Sequence, residues 1–237
     1  MPRLSLVESS RPFLAYLEEW YLQLSAVPFS AVVGDAPEQV AILSVDMING
    51  FCKEGPLAGP RVGALIPAVV QTIHQAYALG VRAFILAQDT HSPQAPEFAT
   101  YPPHCIAGTT ESQAVAELAE LPFAGDWVTV EKNSLSSHLG TTFGAWLAAH
   151  PEVTTFVVIG NCTDLCVYSA AMHLRLEANA LNLQRRVVVP ASVVNTFDTS
   201  ISVAHEFGIM AHHGDLHHML FLHSMAQNGV EVVKELN

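Results

Sequence analysis

Positive charge is scarce in this chain. Ten Lys and Arg stand against 22 Asp and Glu, for a formal net charge of -12. The few basic residues are scattered, and a phosphate backbone demands clustered ones, so nucleic-acid binding is excluded. No apolar run approaches the length of a membrane span. The segment Met1 to Gln39 lacks a basic region followed by a continuous apolar stretch, so no signal peptide is expected. Cysteine is sparse too, with four residues at Cys52, Cys105, Cys162 and Cys166. A chain of this length does not need disulfide staples, and the four read as reduced thiols of a cytoplasmic protein. Linkers, internal repeats and low-complexity tracts are absent. Charged residues make up only 14% and apolar ones 50%, which argues against disorder and for a full core. The apolar surplus also leads us to expect a homo-oligomer.

The pattern along the chain alternates between two periods. Pro12 to Leu24 carry Phe13, Leu14, Leu17, Trp20, Tyr21 and Leu24 at helical spacing, an amphipathic helix. We expect residues 1–39 to form a helical extension packed on a single α/β domain over 40–237. Val40 to Val45 is apolar except for Ser44 and reads as a central parallel strand buried on both faces. A helix follows over Val62 to Leu79, closed by Gly80. Further strands are expected at Arg82–Ala87, Trp127–Val130, Thr155–Ile159, Arg186–Val189 and Val230–Val233. Helices are expected at Phe143–His150, Asp164–Ala178, Ser200–Gly208 and His217–Asn228, with Asp164 or Thr163 as the N-cap of the second. Alternating strands and helices imply an α/β fold with a mostly parallel central sheet, flanked by helices on both faces in three layers.

Reactive side chains gather just past the carboxyl ends of these strands, the edge where open α/β sheets bind ligands. Asp46 follows the first strand, Asp89 the second and Lys132 the third. The turn Gly160 to Cys166 follows the fourth. Cys166 is expected in the first turn of its helix, where unpaired amides favour a thiolate and lower its pKa. The same amides can receive the oxyanion of a tetrahedral intermediate. Asp89, His91 and His104 offer a carboxylate and two imidazoles, a ligand set for a divalent transition metal, and Glu97 is the natural fourth contact or water holder. Zinc stands foremost, with iron and manganese also suited. Each feature has a plainer alternative: buried structural cysteines, a capping aspartate, a solvated lysine, incidental loop histidines. Five histidines, His212, His213, His217, His218 and His223, invite a second metal site, but His213, His217 and His218 read better as a helix face, an interface or support for the main site.

Taken together, Val45-Asp46-Met47-Ile48-Asn49-Gly50-Phe51-Cys52, Asp89-Thr90-His91, Tyr101-Pro102-Pro103-His104-Cys105-Ile106-Ala107-Gly108-Thr109, Lys132 and Thr163-Asp164-Leu165-Cys166-Val167 resemble the nicotinamidase branch of the isochorismatase-like cysteine hydrolases. The likeness runs in matching order from about Val40 to Phe197. It implies a catalytic triad of Asp46, Lys132 and Cys166, and an oxyanion hole from the amides of Cys162 and Cys166. It implies metal contacts from Asp89, His91 and His104, with Glu97 on the metal side. Phe51 and Tyr101 would wall the substrate ring, and the Asn161–Cys162 peptide matches a cis position at the substrate site. The implied activity is conversion of nicotinamide to nicotinate and ammonia through a thioester, a step of NAD salvage. An amidase acting on a carbamoyl or maleamate-type substrate is the second reading, and a non-catalytic metal-binding relative the third. Ile48 departs from the Gln common in the family. The Asn133 to His138 segment is also not its usual form, and the histidines beyond His205 match no motif.

Overall fold

Seven strands form one sheet in which every pairing is parallel. The computed structural model describes residues 5–237, so Met1 to Leu4 of the expected extension lie outside the described residues. The strands are β1 Val40–Val45, β2 Ala83–Asp89, β3 Val128–Lys132, β4 Thr155–Asn161, β5 Arg186–Pro190, β6 Val194–Asn195 and β7 Glu231–Val233. Their order is β3-β2-β1-β4-β5-β7, with β6 pairing β4. The winding reverses between β1 and β4, and such a switch point opens a crevice at the carboxyl ends of the two strands.

All six residues of β1 are buried, as expected for a strand covered on both faces. Ala41, Leu43 and Val45 face one half of the core with Phe143, Leu147, Val167, Leu174 and Leu222. These come from helices α3 Phe143–Ala149, α4 Cys166–Leu181 and α6 Gly214–Gln227. Val40 and Ile42 face the other half with Val69 and Ile73 of α2, Ile66–Ala78. The period of two along the strand thus fills both layers. The remaining long helices are α1 Leu6–Leu22 and α5 Ile201–Phe207. Among the described residues no helix is long and apolar enough to cross a membrane.

The expected elements are present, with shifted ends. Strands β2, β3 and β4 each run two residues beyond the expected stop, to Asp89, Lys132 and Asn161. Hydrophobicity ends earlier than the ladder does, because the polar residues that follow stay in register with Asp89 opposite Lys132. The helix expected from Val62 is broken by Pro67, which sits in the first turn of α2. Its ring bars the carbonyl four residues back, so Pro60–Gly63 forms a separate turn. Helix α1 starts upstream of Pro12 because the Ser5 side chain caps it, accepting from the Glu8 N–H. It packs on α6: Leu17 is buried, and the rings of Phe13, Tyr16 and Trp20 lie 5.8, 5.7 and 5.0 Å from that of His223.

Candidate active site

At the switch point between β1 and β4 stands a residue with strained backbone. Asp46 has φ 51°, in the left-handed region that non-glycine residues rarely enter. Three hydrogen bonds fix it there. Its N–H donates to Ala87 O at 2.8 Å, its Oδ1 accepts from Asp89 N–H at 2.8 Å, and its carbonyl accepts from Asn161 Nδ2 at 2.6 Å. Such over-determination is how functional sites sustain backbone strain. Gly160 permits the approach of β4: a Cβ there would lie 2.1 Å from Val45 O, and its φ is +111°. The next peptide, Asn161–Cys162, is cis, as the resemblance implied.

Lys132 lies at the centre of the site and is buried. Its Nζ is 2.8 Å from Asp46 Oδ2, 2.5 Å from Asp89 Oδ1 and 3.5 Å from Cys166 Sγ. Burial pulls the amine down, but Asp46, Cys166 and Asp89 outweigh it and hold it well above its ordinary value. Burial and the Asp89 charge push Asp46 up to about 6, with Lys132 pulling against them. For Asp89 the balance is reversed: burial raises it, yet Lys132 and His91 hold it below the ordinary carboxylate value. One carboxylate is thereby poised near neutrality while its neighbour stays ionised, a separation that suits acid–base work. Asp46 Oδ2 has no aligned hydrogen bond. Carboxylate oxygens of Asp46 and Asp89 and the Cys166 sulfur all lie within 4.8 Å of one another.

Cys166 opens α4, but Asp164 does not cap the helix. The N-cap position is Leu165, and no side chain caps the helix there. The Asp164 carboxylate turns instead to His212 Nε2 at 2.8 Å. The Cys166 thiol is also not depressed: burial, only partly offset by Lys132, holds it well above its ordinary value. Desolvation beside two carboxylates outweighs the helix amides, so the resting sulfur carries its proton. Leu165 and Val167 N–H groups donate to Cys162 O. Among the described residues neither the Cys162 nor the Cys166 N–H has an acceptor. Two free amides beside the sulfur are what an oxyanion requires.

Ligand atoms of Asp89, His91 and His104 lie within 4.8 Å of one another, and all three residues are buried. His91 Nδ1 is 3.2 Å from Asn133 Oδ1 and His104 Nδ1 is 2.9 Å from Pro102 O, which leaves Nε2 of each ring as the ligand atom. His91 Nε2 is buried with no hydrogen-bond partner. An orphaned imidazole nitrogen, a carboxylate and a second oriented imidazole fit a divalent transition metal. Glu97 stays outside this group of three and acts on it through charge, among the groups that raise the His91 pKa against burial. Phe51 and Tyr101 sit 5.7 and 6.3 Å from the His104 ring.

Comparison with known proteins agrees with this geometry. The profile of the Isochorismatase domain matches residues 40–234. The chain belongs to the isochorismatase-domain family. It is 31% identical over 218 residues to Nicotinamidase 1 of Arabidopsis thaliana, covering 84% of this chain and 86% of that protein. It is 25% identical over 183 residues to the nicotinamidase/pyrazinamidase of Mycobacterium tuberculosis, covering 70% and 92%. The crystal structure of a Pyrococcus horikoshii pyrazinamidase in complex with zinc has the same fold, with a TM-score of 0.64 at 20% identity over 83% of this chain and 99% of that one. The resemblance to the nicotinamidase branch is therefore borne out.

Within this isochorismatase-domain chain, sequence reasoning missed Asn133, Phe98 and His212 near the site, while His218 was among the histidines read as support for it. Asn133 Oδ1 accepts from Ser92 N–H at 2.9 Å and so fixes the side chain facing His91. Its adjacency to Lys132 was the available signal. Phe98 lies edge-on to His91 and His104 at 5.6 and 5.7 Å. His212 and His218 reach the Cys162–Cys166 turn from the C-terminal segment. Both ring nitrogens of His212 face oxygens, Asp164 Oδ2 and Phe197 O, and ligand atoms of Asp164, His212 and His217 lie within 4.8 Å of one another.

Proposed function

We propose that the chain is a nicotinamidase, hydrolysing nicotinamide to nicotinate and ammonia through a thioester on Cys166, within NAD salvage. Amide hydrolysis follows from the family relation. The finer reading is carried by one observation: Asp89 belongs both to the Asp46–Cys166 group and to the His91–His104 group. This shared carboxylate supports reading the nucleophile and the ring-gripping ligands as parts of one site. Asp89, His91 and His104 would hold the metal, with Glu97 beside them. When bound there, a divalent transition metal supplies a Lewis-acid position for the pyridine nitrogen.

This chain's own residues account for the bond changes. Phe51, Phe98 and Tyr101 flank the ring and hold the carboxamide carbon toward Cys166, and positioning of this kind lowers the barrier by several kcal/mol. Asp46 takes the Cys166 proton as sulfur attacks the amide carbon. The developing oxyanion meets the free N–H groups of Cys162 and Cys166. Asp46 returns its proton to the nitrogen as the C–N bond breaks and ammonia leaves. A water then gives its proton to Asp46 and its oxygen to the acyl carbon, the C–S bond breaks, and sulfur recovers the proton. Lys132 keeps its charge throughout and offsets the two carboxylates it touches.

The test is ammonia release from purified, metal-analysed protein offered nicotinamide, pyrazinamide and small aliphatic or carbamoyl amides. Turnover of the pyridine amide above the others is expected. Turnover only of carbamoyl or maleamate-type amides would replace this reading with the second one.

A further inference from the structure

Thr163 and Asp164 stand between the two amides assigned to the oxyanion, and each side chain is held by a different histidine of the C-terminal segment. Thr163 Oγ1 is 2.9 Å from His218 Nδ1, and both residues are buried. His218 Nε2 is in turn 3.3 Å from the Tyr21 hydroxyl of α1. Asp164 Oδ2 is 2.8 Å from His212 Nε2, while Oδ1 is buried without a partner, so His212 supplies the one hydrogen bond this carboxylate has among the described residues. His212 is contacted on its other sides as well. Its Nδ1 is 3.0 Å from Phe197 O, and its ring stacks against Phe197 and His217 at 3.9 Å each. Among the described residues the backbone of the turn is otherwise tied at Thr163 N–H to Asn195 O, at the Cys162 carbonyl, and at the Leu165 carbonyl, which accepts from Ser169 N–H at 2.8 Å.

We infer that His212 and His218 are positioning residues for this reaction. They fix Thr163 and Asp164, and so aim the Cys162 and Cys166 amides at the carbonyl oxygen; Tyr21 carries that support into the N-terminal helix. The inference rests on the thioester reading above. It separates two functions of the pocket. The ring is gripped by the Asp89 side, which these histidines do not touch, whereas the oxyanion depends on the turn they hold. Loss of one oxyanion donor costs about 10²–10³ in rate, and a misaimed donor costs less.

The experiment is steady-state kinetics on His212→Ala, His212→Gln and Thr163→Val, together with binding of pyridine-3-carbaldehyde and of 3-methylpyridine. The aldehyde adds Cys166 sulfur to its carbonyl carbon: a C–S bond forms, the thiol proton passes to Asp46, and the carbonyl π pair becomes an oxyanion. The methyl compound offers the ring alone. In His212→Ala, kcat should fall roughly 10- to 100-fold with KM within about twofold of the parent, as expected for an interaction made only in the transition state. Aldehyde affinity should fall with kcat, and 3-methylpyridine affinity should not. His212→Gln keeps an N–H toward Asp164 and should recover most of the loss. Thr163→Val removes only a hydroxyl and covers the case in which the alanine variant does not fold; a several-fold kcat loss at constant KM is expected. Unchanged kcat in Thr163→Val, or His212→Ala binding the aldehyde as tightly as the parent, would overturn the proposal. A parent protein that forms no aldehyde adduct at all would instead sink the nucleophile reading, and this proposal with it.

Discussion

Replacing Lys132 by Met should move the acid limb of the pH–rate profile upward. The ammonium contacts Asp46 at 2.8 Å and Asp89 at 2.5 Å, so two carboxylates and one cation sum to a local charge of -1. Without the cation the sum is -2, on side chains that are buried. Asp46 stands at about 6 with Lys132 in place, and Lys132 is among the groups that pull it down. The base must be ionised to accept the thiol proton, so activity is lost as pH falls through this value. At pH 7 roughly nine-tenths of Asp46 is then ionised. An opposite charge at contact distance holds a carboxyl down by about 1–3 pH units. Its removal therefore leaves from ~50% down to ~1% of Asp46 ionised at pH 7. The profile of kcat/KM between pH 5 and 9 reads this directly, with activity in Lys132→Met rising toward alkaline pH where the parent is flat. Breaking a buried ion pair also costs roughly 3–5 kcal/mol, so the variant should melt several degrees lower. An acid limb that stays in place while activity falls at every pH would refute the electrostatic role assigned to Lys132.

Other expectations follow from single contacts. Chelation, or His91→Ala with metal loss verified, should raise KM for nicotinamide far more than it lowers the melting temperature; an unchanged KM would remove ring anchoring from the mechanism. Gly160→Ala should destabilise by several kcal/mol or abolish folding, because the added Cβ meets Val45 O at 2.1 Å in a backbone that alanine resists; thermal melting checks it. His218 is pushed down to about 4 by burial, with Arg61 adding to it. The unfolded chain binds this proton below about 6.5 and the folded chain does not until about 4, so stability is full above that window and falls as pH drops through it. The loss should reach roughly 3 kcal/mol, read as the change in urea midpoint between pH 7 and 4.

The sheet was legible because its strands are nearly unbroken apolar runs, and the edge that carries the chemistry followed from where those runs end. What periodicity could not see were the last two residues of β2, β3 and β4. Asp89, Lys132 and Asn161 look like loop residues by hydrophobicity, yet they stay in the ladder because each is buried against a polar partner. The role of Asp164 was misread for a related reason. A carboxylate before a helix usually caps it, and only the fold brings His212 near enough to claim it. The thiol pKa was misjudged because a sequence shows the helix start but not the depth at which the sulfur lies. The likeness in motif order named Asp46, Lys132 and Cys166, and Asp89, His91 and His104, which the fold brings close together. It was silent on Phe98 and Asn133, and on the C-terminal histidines, whose partners lie 48 and 55 residues away.

The most direct test of sulfur as nucleophile is intact-protein and peptide mass analysis of enzyme acid-quenched during nicotinamide turnover. A nicotinoyl group mapped to the peptide holding Cys166, and absent from the Cys166→Ala variant, is the expected result. Undiminished ammonia release by that variant, with no acyl adduct on the parent at any time of quench, would contradict it.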